Sequence, residues 1–439
     1  MTMRWSWAGI ICFSAIFARS SYALSPLLGD EKAVDWWFAF KLSTKSWPGC
    51  SSERKCIFGG KVQDYSRGYG LQYLVASGVG GKTSPLEFHS DCLGSSADPV
   101  AKTFAQVFDG KAANYVIWND QFYGDPIPQI HPACDDFTSH ACGAPWGHSK
   151  GVLAWDNDGT GFIMQVSTPS WPGNGDTNHR RKEQGNTLGC IEDDNAKVAQ
   201  HFFALRLANA SDVKVILQAL QRASVATDPQ NSQLMQLSSD GPSELSSLAR
   251  QLGKVDGSAS VYSATLSVAS VSLIAKPYAL AVPPWQLVSA TLGASLRAAT
   301  WWATPKILSS RSGKKPGCWD ENLPAPKEVQ IATSGQWDGK TFGLLGANSP
   351  DGNHAKIGHS ISGSLSIFGD MNQEGSYNPK DDKAGCAAHQ CGRGGLFFAV
   401  DDAKLHTSIQ SLLKGTTASY YKTDSDSETN DTTEAMTMV

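Results

Sequence analysis

Two histidine-x-lysine pairs, His148 with Lys150 and His354 with Lys356, are the residues of this chain best suited to do chemistry. In an extended segment, side chains two apart project from one face, so each pair sets a base beside a cation. Together they supply what cleavage of a phosphodiester without a metal needs. One neutral imidazole attacks phosphorus, a protonated one donates to the leaving oxygen, and two ammonium groups oppose the charge that grows in the transition state. Attack would give a phosphohistidine, which water opens with the second imidazole as base. Spacing alone leaves open which histidine attacks.

Both pairs sit in similar surroundings. His148 and Lys150 open the stretch WGHSKGVLAWDNDGTGFIMQVSTPSWP, in which two apolar runs flank an Asp-Gly turn signal, the pattern of a buried β-hairpin. After Asn353, HAKIGHSISGSLSIFGDMN repeats the order, with a Ser-Gly turn and a second run ending at Asp370 and Asn372. Upstream lie Trp36, Trp37 and Lys41 in WWFAFK, and Trp301, Trp302 and Lys306 in WWATPK, which read as a further repeated string. Two divergent halves of one fold account for both recurrences.

Length and composition suit such a plan. The 439 residues are 41% hydrophobic and only 18% charged, and 14 Trp with 42 Gly favour strands and loops over a helical bundle. Arg4 followed by an apolar run and SYA reads as a signal peptide, residues 1–23, cut after Ala23; no other stretch is long enough to span a membrane. Export implies an oxidising compartment, so the nine cysteines beyond the signal are expected mostly in disulfides, with Cys50–Cys56, Cys134–Cys142 and Cys386–Cys391 as candidate pairs and the odd count leaving one thiol over. Structural zinc is the competing reading for two clusters, His131/Cys134/His140/Cys142 and Cys386/His389/Cys391. The net charge of −4 resides in the tail after Thr416, where five acidic residues face one lysine. The body is thus near neutral at neutral pH, and becomes cationic and attractive to polyanions in an acidic lumen.

Along the chain, strands are expected at Val34–Ser43, in GLQYLVASG and at Tyr115–Gln121, with a helix opening at Asp98-Pro99. Helical patterns follow at Asn195–Leu207, Asp212–Ala223 and Glu244–Leu252, and a last helix spans Asp401–Leu413. The expected units are an N-terminal half over 24–225, a C-terminal half over 226–415 and a disordered acidic tail over 416–439. Arg180 and Arg181, in a Gly/Asn-rich loop, offer phosphate contacts or a solvated surface. Arg393, before two glycines, offers an anion contact or a plain flexible turn. Asn209 and Asn430 open glycosylation sequons.

The chain resembles the deoxyribonuclease II family, acid endonucleases whose active site is related to that of phospholipase D. The resemblance spans most of the mature chain: VDWWFAFKL, WNDQ (Trp118 to Gln121), HSKGVL, STPSWP, GNTLGC, HAK (His354 to Lys356), GDMN (Gly369 to Asn372) and RGG (Arg393 to Gly395). It implies an α/β fold, a phospholipase D-like, pseudo-symmetric two-half α/β sandwich with mixed β-sheets and one active site where the halves meet. It implies His148, Lys150, His354 and Lys356 as catalytic, Asp370 and Asn372 as supporting, and DNA as the substrate, for which Arg393, Arg180 and Arg181 are candidate contacts read from their own local sequence. It also implies an acidic optimum, 3′-phosphate products, no metal or other cofactor, and a lysosomal or extracellular location. The family usually has Asp before the second His-x-Lys and an aromatic after it, where this chain has Asn353 and Ile357. A phosphodiesterase of RNA or lipid head groups, an inactive DNA-binding homologue and a zinc-dependent nuclease are the alternatives.

Overall fold

The computed structural model describes residues 23–47, 72–90, 93, 98–108, 110–121, 142–169, 197–232 and 234–422. The expected signal peptide, Cys50, Cys56, Cys134, Arg180, Arg181 and Asn430 lie outside the described residues.

The first half supplies β1 (Trp36–Lys41), β2 (Tyr73–Val79), β3 (Lys82–His89), α1 (Pro99–Phe108), β4 (Asn114–Asn119), β5 (Lys150–Trp155), β6 (Gly161–Val166), β7 (Gln200–Leu207), α2 (Ala210–Arg222), β8 (Met235–Gln236) and α3 (Ser243–Ala249). Its strands form one antiparallel sheet in the order β3-β2-β1-β7-β6-β5-β4-β8. The second half supplies β9 (Tyr262–Thr265), β10 (Val271–Lys276), α4 (Pro284–Leu292), β11 (Leu296–Ala299), β12 (Val329–Ile331), the small hairpin β13 (Ser334–Trp337) and β14 (Lys340–Gly343), β15 (Ile357–Ser360), β16 (Leu365–Gly369), β17 (Gly395–Asp401) and α5 (Ala403–Leu412). Its main sheet runs β12-β11-β15-β16-β17-β10-β9 and is mixed, with β11 and β12 parallel. Among the described residues no helix is long and apolar enough to cross a membrane.

The halves repeat one plan: β1-α1-β4-β5-β6-β7-α2 in the first becomes β10-α4-β11-β15-β16-β17-α5 in the second, with the same order within each sheet. Strand alternation explains the layering. Trp36, Phe38 and Phe40 of β1 face a core shared with the other sheet, while Trp37 and Ala39 face Val100, Phe104 and Val107 of α1. In β10, Leu273 and Ala275 face the shared core and Ile274 packs with Trp285 and Val288 of α4. Phe368 stacks between Phe38 and Phe203 at ring separations of 4.6 and 4.5 Å, so the two sheets are joined by aromatic contact across the shared core. Helices α2 and α5 also enter that core, through Ile216, Leu217 and Leu220, and through Leu405, Ile409 and Leu412. Each starts on a capping side chain after the equivalent strand: Asn209 accepts from the amides of Ser211 and Asp212, and Asp402 from those of Lys404 and Leu405.

Several expectations change. The segment read as helical from Asn195 to Leu207 contains β7, which lies between β1 and β6 with both faces covered. A strand buried on both sides is apolar almost throughout, and periodicity cannot separate it from a buried helix. WWATPK is not the counterpart of WWFAFK: the latter is β1, whose equivalent is VSLIAK of β10, so Lys41 corresponds to Lys276 and not to Lys306. Cys386 pairs with Cys318, and Cys391 is a buried free thiol, in place of the expected Cys386–Cys391 bridge; the disulfide also takes Cys386 out of the candidate zinc cluster. Cys142 is disulfide-bonded. Residues 416–422, expected in the disordered tail, are held in place: Thr417 bridges to Ala332, Tyr420 to Ser309, and Tyr421 stacks on Tyr377. Residues 423–439 lie outside the described residues.

Candidate active site at the junction of the halves

Each His-x-Lys motif leads into the equivalent strand of its half. Lys150 is the first residue of β5, and Lys356 immediately precedes β15. The hairpin after Lys150 closes at Asp156 to Thr160, where Gly159 adopts φ +84 and a Cβ would press on Ala210. After β16 the chain passes directly into Asp370, Met371 and Asn372.

The histidine amides dock across the interface. The His148 amide donates to the carbonyl of Gly394 and the His354 amide to that of Ala199, both at 2.8 Å. Gly394 precedes β17 and Ala199 precedes β7, equivalent positions in the two halves. Each histidine is therefore anchored by the opposite half. The four side chains share one electrostatic environment: the charges of both Lys356 and Lys150 act on His148, and those of Lys356, Lys150 and His148 act on His354.

Burial and these cations hold both imidazoles well below the usual histidine range, His148 by desolvation then Lys150, and His354 by desolvation then Lys356. His148 Nδ1 lies 2.8 Å from the Asp370 carbonyl oxygen. A carbonyl can only accept, so Nδ1 carries the proton and Nε2 presents the lone pair. His354 differs. The Ser167 backbone favours its protonated form, but its Nδ1 makes no hydrogen bond of normal geometry, and the Trp301 ring stands edge-on with centroids 4.3 Å apart.

The lysines are just as unequal. Lys150 Nζ donates to Asp120 Oδ1 at 2.5 Å, and Asp120 Oδ2 accepts from the Arg393 guanidinium at 2.9 Å. Burial alone would raise Asp120; the charges of Lys150, His148 and Arg393 hold it well below the ordinary carboxylate range. Lys356 Nζ donates to the carbonyl of His354 at 2.7 Å and has no carboxylate in the matching place. Asn119 pairs with Lys150, whereas Ala299 pairs with Ile357, so Thr300 lies opposite Lys356 and Trp301 occupies the position that Asp120 fills in the first half. Burial, followed by the Lys150 charge, lowers Lys356 to about 7.

Asp370 and Asn372, expected as supporting residues, are both buried; Asp370 meets His148 through its carbonyl, and the Asn372 backbone amide donates to Gln390. Asp370 accepts from Gln165 Nε2 and from the Leu396 amide, each at 2.9 Å, and burial raises its carboxyl to about 7. Arg393 is placed differently from expectation. Only 9% exposed, its guanidinium donates through Nε and Nη2 to Asp120 and to the carbonyls of Trp146, Cys142 and Gly147, so it clasps the loop before His148. The two glycines serve close packing: a Cβ on Gly394 would sit 2.2 Å from the Ala223 carbonyl oxygen, and one on Gly395 would sit 2.4 Å from the Met371 side chain. The side-chain hydrogen bonds of Asn353 go to backbone. Its amide brackets Ala355, accepting from the Ala355 nitrogen and donating to the Ala355 oxygen, both at 3.0 Å.

Sequence reasoning missed Asp120, Trp301 and His201. His201 accepts the Lys356 amide on Nδ1 at 3.1 Å, fixing the second motif to β7. Asp120 carried a usable signal, since a buried strand that ends Asn-Asp-Gln delivers polar groups to its tip. Trp301 and His201 carried none. Among the described residues no group of three or more His, Cys, Asp or Glu is arranged to hold a metal ion.

The family model described as Deoxyribonuclease II matches residues 26–417. The chain is also similar to Plancitoxin-1 of Acanthaster planci, 27% identical over 191 residues that cover 40% of this chain and 43% of that protein. The match thus spans less than half the length of that relative.

Proposed function

The chain belongs to the deoxyribonuclease II family, and on that premise we propose that it is an acid endodeoxyribonuclease in which His148, Lys150, His354 and Lys356 carry out hydrolysis without a metal. The observation that carries this reading is the crossed docking: the backbone amide of each histidine donates to a carbonyl of the opposite half, and the charges of His148 and Lys150 act on His354.

In the proposed reaction one imidazole attacks phosphorus as the P–O5′ bond breaks, and the other, protonated, gives its proton to the departing oxygen. The 3′ side remains on histidine through a P–N bond. Water then adds to phosphorus, its proton passes to the second imidazole, the P–N bond breaks, and a 3′-phosphate leaves. His148, with Nδ1–H held by Asp370 and Nε2 free, suits the nucleophile; His354, without such a hold, suits the proton donor. Lys150 and Lys356 oppose the phosphoryl charge.

An acidic optimum follows from the same surroundings. Below about pH 7 Lys356 is cationic and Asp370 is neutral; above it the ammonium charge is lost and a carboxylate appears beside the site. Both changes weaken attraction for a phosphodiester. Burial and the neighbouring lysines disfavour imidazolium, and the negative charge of a phosphodiester would restore the proton affinity needed by the donor. An acidic compartment of the secretory route suits this chemistry, and the Cys318–Cys386 disulfide suits an oxidising one.

The test is nicking of supercoiled plasmid near pH 5 (about the acidic range expected) in excess EDTA. Cleavage is expected, with ends that polynucleotide kinase labels at the 5′-hydroxyl without prior phosphatase. His148→Ala and His354→Ala should each lower the rate by roughly a thousandfold or more. Cleavage abolished by EDTA, or a histidine variant with near-normal rate, would refute the assignment. RNA and phospholipid run in parallel distinguish the other phosphodiesters.

A further inference from the structure

Two lysines outside the quartet are buried as deeply as any residue of the site, Lys41 at 1% exposure and Lys276 at 0%. They occupy equivalent positions, the last residues of β1 and β10, paired with Gln200 of β7 and Gly395 of β17. Lys276 Nζ donates to the carbonyls of Cys391, Arg393 and Pro277 at 2.8, 2.9 and 3.2 Å, which uses all three ammonium protons. Lys41 Nζ donates to the carbonyl of Val198. The residues that follow these acceptors are Gly394 and Ala199, whose carbonyls receive the amides of His148 and His354.

Two relays therefore cross the molecule in opposite directions. Lys276 fixes the Arg393 carbonyl, and Gly394 fixes His148; Lys41 fixes the Val198 carbonyl, and Ala199 fixes His354. An ammonium in a dry interior is expensive, and an apolar side chain would fill the same space without that penalty. That the expense recurs at matched positions, each time one residue before a histidine anchor, points to a task beyond filling space. Burial lowers Lys276 to about 7, so in acid it is a full ammonium and its carbonyl cradle is complete.

We propose that Lys41 and Lys276 are positioning residues that act across the interface, Lys276 setting the place of His148 and Lys41 that of His354. The part of this concerning turnover rests on the nuclease reading above; the crossed relation does not.

The test follows the ring signals of histidine-labelled protein by nuclear magnetic resonance, with His148 and His354 assigned through their Gln variants. In folded Lys276→Met the titration of His148 should move by about half a pH unit or more while that of His354 stays within about 0.2; Lys41→Met should do the reverse. On plasmid, kcat should fall about 10- to 100-fold with KM within about threefold, because the groups that bind DNA remain while the attack geometry is lost. Lys→Gln at either site, which keeps length and one donor, should fall between wild type and Met. Folded variants in which neither histidine moves, or both move together, would overturn the proposal. So would failure of both the Met and the Gln variants to fold, since the lysines would then serve the fold itself. If the histidines respond crosswise but the wild type cuts no DNA, the positioning role stands and the nuclease reading falls.

Discussion

Asp120 and Lys150 form a buried ion pair at 2.5 Å, and the second oxygen of the same carboxylate holds Arg393 of the other half. One side chain thus neutralises a site lysine and ties the halves together. Removing it leaves two buried cations unpaired, so Asp120→Asn should destabilise the fold by about 3–5 kcal/mol and abolish turnover. The pH window of the pair follows from the direction of its shift. A carboxyl held below its unfolded value contributes stability above about pH 4, and that stability is lost only as pH falls through the lower folded value. The pair should therefore survive a working pH near 5 (roughly one unit above the unfolded carboxyl). Urea unfolding of wild type and variant at both pH values checks this; a loss under about 1 kcal/mol would show that the cations find other partners.

Asp370 gives the opposite sign. Its carboxyl is raised to about 7 by burial, so its contribution is full below the unfolded value near 4 and is lost as pH rises toward 7. The buried histidines oppose it, since their neutral forms are favoured and stability from them falls as pH drops below about 6.5. Asp370→Asn mimics the protonated acid once the Gln165 amide turns its unpaired Oε1 toward the new NH2, and it leaves the histidines in place. The variant should match wild type near pH 4 and exceed it at pH 8 by on the order of 2–4 kcal/mol. Parallel stability curves across that range would remove Asp370 as a titrating group.

Trp301 occupies in the second half the place of Asp120 in the first, against the ring of His354. A carboxylate there would stabilise the charged forms of Lys356 and His354. Trp301→Asp should move the alkaline limb of the pH–rate profile upward by about one unit, at a reduced maximal rate because the ring packing is lost. Trp301→Ala is the control: same packing loss, no upward movement. If both variants share one profile, Lys356 does not set that limb.

How much of this was legible follows from what each feature depends on. The hairpins behind both His-x-Lys motifs are local, and their turns and apolar runs can be read directly, as can the helix at Asp98-Pro99, where Asp98 accepts the Ala101 amide. The repeat was legible too, but its alignment was not. WWATPK looked like WWFAFK because two tryptophans outweigh everything else in a short string, whereas the true partner VSLIAK shares only its strand character and final lysine. β7 has the sequence pattern of a buried helix because a strand covered on both faces loses its alternation. Arg393 beside two glycines looked like an anion turn; its inward course depends on Asp120, far away in sequence, which no local pattern announces.

Asn353 stands where the family pattern described above has aspartate, and its geometry gives a reason for the amide. It is fully buried, and it both accepts from and donates to the backbone of Ala355, a two-way contact that a carboxylate cannot make. In Asn353→Asp the oxygen replacing Nδ2 would face the Ala355 carbonyl with no proton between them. The expected result is a loss of about 1–3 kcal/mol at pH 7, recovered in part in acid. The sign follows from linkage: burial and the facing carbonyl would raise the new carboxyl, so its protonated form, which can donate, is favoured and stability returns as pH falls. The added charge should also favour imidazolium at His354, shifting activity toward higher pH in the variant. Urea unfolding at pH 7 and near pH 5 (about the proposed working range), alongside the pH–rate profile, measures both effects. Unchanged stability at pH 7 would mean that the loop carrying His354 is held by its anchors on Ala199 and His201 alone.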